Sequence, residues 1–69
     1  MTATLPSLHG YTASEVAACA SREVKKRRHV YPRLVAELKM PQATADREIS
    51  MMTVMVEYFT ELDERERLL

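Results

Sequence analysis

Residues 49 to 62 place more apolar surface on one helix than a two-helix chain can cover. At about 100° per residue, Ile49, Met52, Val56 and Phe59 form one stripe, and Met51, Met55, Tyr58 and Leu62 form a second beside it. Together they cover more than half the circumference, against the roughly 100° that a surface helix normally buries. One partner helix cannot cover that arc. The stretch predicts self-association, or burial against another protein.

Length sharpens the point. At 69 residues the chain is one domain at most, and below about 70–80 residues a single core rarely supplies more than about 3–5 kcal/mol. Small chains then lean on disulfides, metals or oligomerisation. Cys19 is the only cysteine, so no intramolecular disulfide forms, and a reducing compartment suits it. His9, Cys19 and His29 lack ligand-pair spacing, so neither a metal nor a cofactor is expected. Oligomerisation is the remaining route. The N-terminus has no signal-peptide pattern and no apolar run approaches membrane-spanning length, so the expected location is the cytoplasm. One glycine and three prolines are too few for a protein of hairpins and turns. The expected class is all-α.

Residues 1 to 10 show little pattern, with Pro6 and Gly10 interrupting Leu5 and Leu8, and read as a flexible arm before a hairpin domain over 11–69. Thr12 and Glu15 have capping-box spacing, in which the hydroxyl accepts from the Glu15 amide and the carboxylate reaches back. Tyr11 and Val16 are spaced as a hydrophobic staple. From there Val16, Ala20, Val24, Arg27, Tyr31, Leu34 and Leu38 recur at steps of three and four. The seam keeps its phase across Pro32, which favours one kinked helix of residues 13–39 over two separate ones. Pro41 suits the first turn of a second helix, expected over 42–66. A short connection between two long helices predicts an antiparallel hairpin. Two copies pairing through their methionine-rich faces would make a four-helix bundle. The expected core comprises Val24, Tyr31, Leu34, Leu38, Ile49, Met52, Val56 and Phe59, and the oligomer or partner interface Met51, Met55, Tyr58 and Leu62.

The net charge of zero hides a segregation. Residues 21–39 hold seven Lys/Arg and two Asp/Glu, whereas residues 40–69 hold three and seven. Arg22, Lys25, Lys26, His29 and Arg33 fall on the helix face opposite the seam, as a strip about 16 Å long. That scale suits several phosphates or an acidic protein surface. The plainer reading is a solvated face, paired with the acidic helix of the same or a neighbouring chain. No aromatic side chain interleaves with the strip, so base stacking has little support. Arg27 lies in the seam itself, where its stem can cover apolar neighbours or its guanidinium can meet a carboxylate across an interface. The methionines either fill a bundle core or line a pliable groove. Glu61 with Arg65, and Asp63 with Arg67, have helical ion-pair spacing. No glycine-rich phosphate loop, zinc-protease motif or spaced nucleophile and base is present, so an enzyme is not expected.

Over a little more than half the chain the residues resemble a set of small, uncharacterised phage and prophage helical proteins. The likeness is carried by Arg27, Arg28, Val30, Tyr31, Pro32 and Arg33, followed by Gln42, Ala43, Ala45, Asp46, Glu48 and Ile49. In that set the position of Pro41 is commonly a Ser or Thr able to cap the second helix, and this chain departs from it. The resemblance implies a phage accessory protein expressed in a bacterial cytoplasm, and carries no activity over to any residue. The expected function is therefore a binding protein, acting as a homodimer, that modulates a host or phage protein. The alternative is a nucleic-acid-binding accessory protein that uses the basic strip.

Overall fold

The computed structural model of the chain describes residues 7–68, which form two α-helices packed against each other as a hairpin. Helix α1 spans Ala13–Ala36, helix α2 spans Gln42–Leu68, and residues 37–41 join them. Among the described residues there is no strand. Residues 1–6 of the expected arm lie outside the described residues. Just after them, the Tyr11 amide donates to the Leu8 carbonyl at 3.0 Å. His9 and Gly10, at φ of 55° and 86°, form the corner of that turn, with the positive φ at both central residues that a type I′ turn requires.

Helix α1 starts where its chemistry dictates. Thr12 is extended at φ −84°, ψ 157°, and its hydroxyl accepts from the Glu15 amide at 3.0 Å. The Glu15 carboxylate turns back as far as the Thr12 hydroxyl, which donates to it at 3.2 Å. The second half of the expected capping box thus closes on the side chain, not on the Thr12 backbone amide.

The helix then runs unbroken through Pro32, as the phase of the seam predicts. It stops three residues earlier than expected. The Leu38 amide donates to the Val35 carbonyl at 3.1 Å and the Lys39 amide to the Leu34 carbonyl at 2.9 Å. This is the Schellman pattern, with Leu38 in the left-handed position at φ 60°. Leu38 was expected to extend the seam and join the core. The reversal swings it out instead, and it is 92% exposed. Helix α2 opens with the Pro41 carbonyl accepting from the Ala45 amide at 3.1 Å, so Pro41 is the cap residue and not part of the first turn. It has no side-chain oxygen to satisfy an early amide. The Gln42 side chain donates to Asp46 at 2.8 Å across that opening turn, and α2 continues to Leu68, two residues past the expected end.

Small side chains bring the helices together. The buried residues are Ala13, Ala17, Ala20 and Val24 on α1, spaced four, three and four apart, and Ala45 on α2. No large side chain among the described residues is fully buried. Tyr31 and Leu34 on α1, with Ile49, Met52, Val56 and Phe59 on α2, are half-buried and flank that line. Tyr58 and Phe59 meet edge-on, with ring centroids 5.1 Å apart. The Cα radius of gyration is 15.2 Å, whereas a compact domain of this length would have about 11 Å. The hairpin is a rod of 47 × 26 × 20 Å.

Two backbone features set stability at the connecting end. An L-residue in the left-handed region costs roughly 1–2 kcal/mol, which glycine avoids. Leu38→Gly, which sacrifices no packing, should stabilise the hairpin by about 1 kcal/mol in urea unfolding; a loss of stability would show that the Leu38 side chain is covered in solution. Pro32 is exposed and denies the Arg28 carbonyl its helical donor. Pro32→Ala should raise stability by about 1–2 kcal/mol with a gain in helical signal. A fall in both would mean that α1 is broken at that point.

Candidate functional site

Two surfaces of the rod are set apart by their side chains. The first is the basic strip. Arg22, Lys25, Lys26, His29 and Arg33 are all exposed, on the side of α1 turned away from α2. The hairpin does not neutralise them with its acidic helix. Among the described residues the strip makes one ion pair, from Lys26 to Glu23 at 3.7 Å, one turn away on the same helix with both side chains in solvent. An exposed pair of that kind is worth little. The acidic residues of α2 pair locally instead: Arg65 meets Glu61 at 2.8 Å and Arg67 meets Asp63 at 3.0 Å, both at the spacing expected. Lys39 meets Glu37 at 3.0 Å in the connection. Arg27 is half-buried on the seam, and no carboxylate of the described residues lies within ion-pair distance of it.

The second surface is apolar. An open cleft of about 700 Å³ along one side of the rod is lined by Tyr11, Val16, Ala18, Cys19 and Ala20 of α1 or its approach, by the charged Glu15, Arg22 and Glu23, and by Met52 of α2. On α2, Met55, Leu62, Met51 and Tyr58 follow Met52 around the helix on that same side. The opposite side has a smaller cleft, of about 430 Å³, lined by Arg28, Asp46, Ser50, Thr53 and Glu57 together with the apolar Ile49 and Val54. The Thr53 hydroxyl there is satisfied by donating to the Ile49 carbonyl at 2.8 Å. The first cleft is the more apolar of the two. Met51 is 41% exposed, Met55 and Tyr58 are each 47% exposed, and Leu62 is half-buried. Val54, at 62%, is also exposed, lines the smaller cleft and was not singled out by the stripe reading. Val30 of α1 is also exposed.

The structure brings the four members of the expected interface onto one flank of α2 and leaves the five members of the basic strip exposed on α1, with Arg22 also lining the apolar cleft. It also buries two positions of α1 that sequence reasoning missed, Ala13 and Ala17. Their spacing of four, and of three to Ala20, was visible. Alanine simply carries too little hydrophobicity to stand out beside Val16. Among the described residues no three His, Cys, Asp or Glu side chains gather as metal ligands, and no helix is long and apolar enough to cross a membrane. The chain matches no family model, no curated protein and no solved structure.

Because the strip residues are exposed and make no ion pair with α2 among the described residues, their charge should be dispensable for folding. Arg22→Gln, Lys26→Gln and Arg33→Gln, combined, should leave the helical spectrum intact, each contributing less than about 0.5 kcal/mol to stability. A combined loss well beyond that, measured by thermal melting, would assign the strip a structural role.

Proposed function

We propose that this chain is a small phage-encoded binding protein. In this reading two hairpins pair through their methionine-bearing flanks into a four-helix bundle, and the bundle modulates a host or phage protein by occupying an acidic surface on it. The phage origin is supported by the resemblance around Tyr31, Pro32, Arg33 and Ala45, Asp46, Glu48, Ile49. The observation that carries the binding role is the state of the basic strip. Five exposed cationic or titratable side chains on one face share a single weak ion pair, so the charge is available to a partner outside the chain. A partner carboxylate cluster can offer the bidentate geometry that suits Arg22 and Arg33.

Phosphates offer similar chemistry, and a strip about 16 Å long is a workable length for them. The absence of aromatic side chains among the strip residues favours a protein surface over single-stranded nucleic acid. The test is capture of tagged protein from host lysate, with and without nuclease, beside the triple glutamine variant. Retention of a protein partner after nuclease, and its loss with the variant, is the expected result. Binding to random duplex DNA that falls steeply with salt, with nothing retained after nuclease, would overturn the reading in favour of nucleic acid.

A further inference from the structure

The hairpin turns a segregation along the sequence into a polarity along the rod. Because Ala36 and Gln42 flank the connection, stepping back along α1 and forward along α2 brings Glu23 level with Met55. Residues 24–54 make the half of the rod that carries the connection, and hold seven Lys/Arg against three Asp/Glu. Residues 7–23 with 55–68 make the other half, and hold three against seven. The rod therefore carries a surplus of four positive charges at the connecting end and four negative charges at the terminal end.

Its apolar flank is unpartnered within the hairpin, with Met51 41% and Met55 and Tyr58 each 47% exposed. Val16 and Cys19 of α1 line the cleft with Met52 of α2, and by helical position Val30 of α1 and Met51, Met55, Tyr58 and Leu62 of α2 fall on the same flank, so the surface spans both helices. Two such flanks can face each other in two ways related by a two-fold axis. With connections at the same end, each α1 packs on the other protomer's α2, and like-charged halves lie side by side. With connections at opposite ends, α1 packs on α1 and α2 on α2, and each basic half lies along an acidic half. Opposed potentials favour the second arrangement and like charges disfavour the first.

We infer that the occupant of this flank is a second copy of the chain, seated with its connection at the opposite end. The inference rests on the proposed dimer and adds its orientation. The two-fold axis then passes near Met55, level with Glu23. The orientation also decides what the basic strip becomes. Both α1 helices lie on the same edge of the bundle, and each strip begins near the axis at Arg22 and runs outward to Arg33. The two strips form one basic surface about 30 Å long, to which each protomer contributes half. In the same-end arrangement the strips would lie on opposite edges, each acting alone.

The full-length Cys19→Ser, Lys39→Cys variant, spin-labelled at position 39, tests the orientation; both sites are exposed. Opposite-end pairing predicts a distance between labels of about 40 Å, close to the length of a 27-residue helix. A distance below about 20 Å would overturn the orientation while leaving a dimer in place, since same-end pairing brings the connections together across one helix layer. A monomer mass in light scattering at all concentrations would overturn the dimer itself, and the orientation with it. Raising ionic strength should weaken the dimer measurably, and a tighter dimer at high salt would count against the pairing of unlike halves. Met55→Asp should weaken dimerisation at least tenfold, and an unchanged dissociation constant would remove the flank from the interface.

Discussion

The buried line between α1 and α2 is four alanines and one valine, Val24, and most other features of the rod follow from that. Ala13, Ala17, Ala20 and Ala45 let two backbones approach closely without any large side chain wedged between them. The same choice limits what the contact can contribute. An alanine buries little apolar area, and hydrophobic stabilisation scales with area removed from water. The larger side chains, Met52, Val56, Phe59, Tyr31 and Leu34, are only partly buried. A hairpin so built has a well-defined helix pairing and an unfinished core. Filling that core with large residues inside one chain would have pushed the helices apart. Leaving it at the flank keeps it available to something outside the chain.

The connecting end has a different economy. It carries Pro32 within a helix, Leu38 at positive φ and Pro41 as a cap without a side-chain acceptor. Each breaks a local preference that a stability-optimised hairpin would satisfy. They cluster within ten residues, beside the outer end of the basic strip. Sequences that fold well tend to agree across levels, and departures concentrate where something besides stability is being specified. Pro32 forbids one backbone hydrogen bond immediately before Arg33. Leu38 ends α1 before its seam is exhausted, which frees Lys39 to pair with Glu37.

Much of this architecture was legible in the sequence, for identifiable reasons. Helix class, the reversal near residues 40–41, the Thr12 cap and both ion pairs of the α2 end follow from spacing rules that depend only on neighbours within one turn. Continuity through Pro32 was legible because a seam that keeps its phase on both sides of a proline is hard to reconcile with two independent helices. The end of α1 was not. Nothing in the side chain of Leu38 announces a left-handed residue, a position usually held by glycine, and its hydrophobicity argued for the seam. Ala13 and Ala17 were missed by the opposite error. Hydropathy weights residues by size, whereas close helix packing selects for smallness. Of the candidate surfaces, the membership of each was readable from the helical wheel, but their relation was not. Whether the basic strip is neutralised by α2 depends on which faces the hairpin turns toward each other, and that is set by the alanine line.

That relation is what gives the charge pattern its meaning. Along the sequence, a basic stretch followed by an acidic one describes any number of surface helices. Folding back at residues 37–41 does not bring the two stretches into register with each other, as a simple reading of a basic helix beside an acidic helix would suggest. The basic residues of α1 crowd toward the connection, and the acidic residues of α2 crowd toward its far end, so the hairpin lays them at opposite ends of one rod. Attraction between unlike charges inside the chain is thereby forgone: the described ion pairs all lie within one helix or the connection. A rod with opposed ends and one apolar flank has a preferred way to meet its copy. The apolar flank supplies area without direction, because hydrophobic burial is non-directional. The charge polarity supplies direction with little energy per pair, since exposed charges are screened beyond about 10 Å. In the proposed dimer the two terms are complementary: one decides that the copies meet, the other decides which end of each lies beside which.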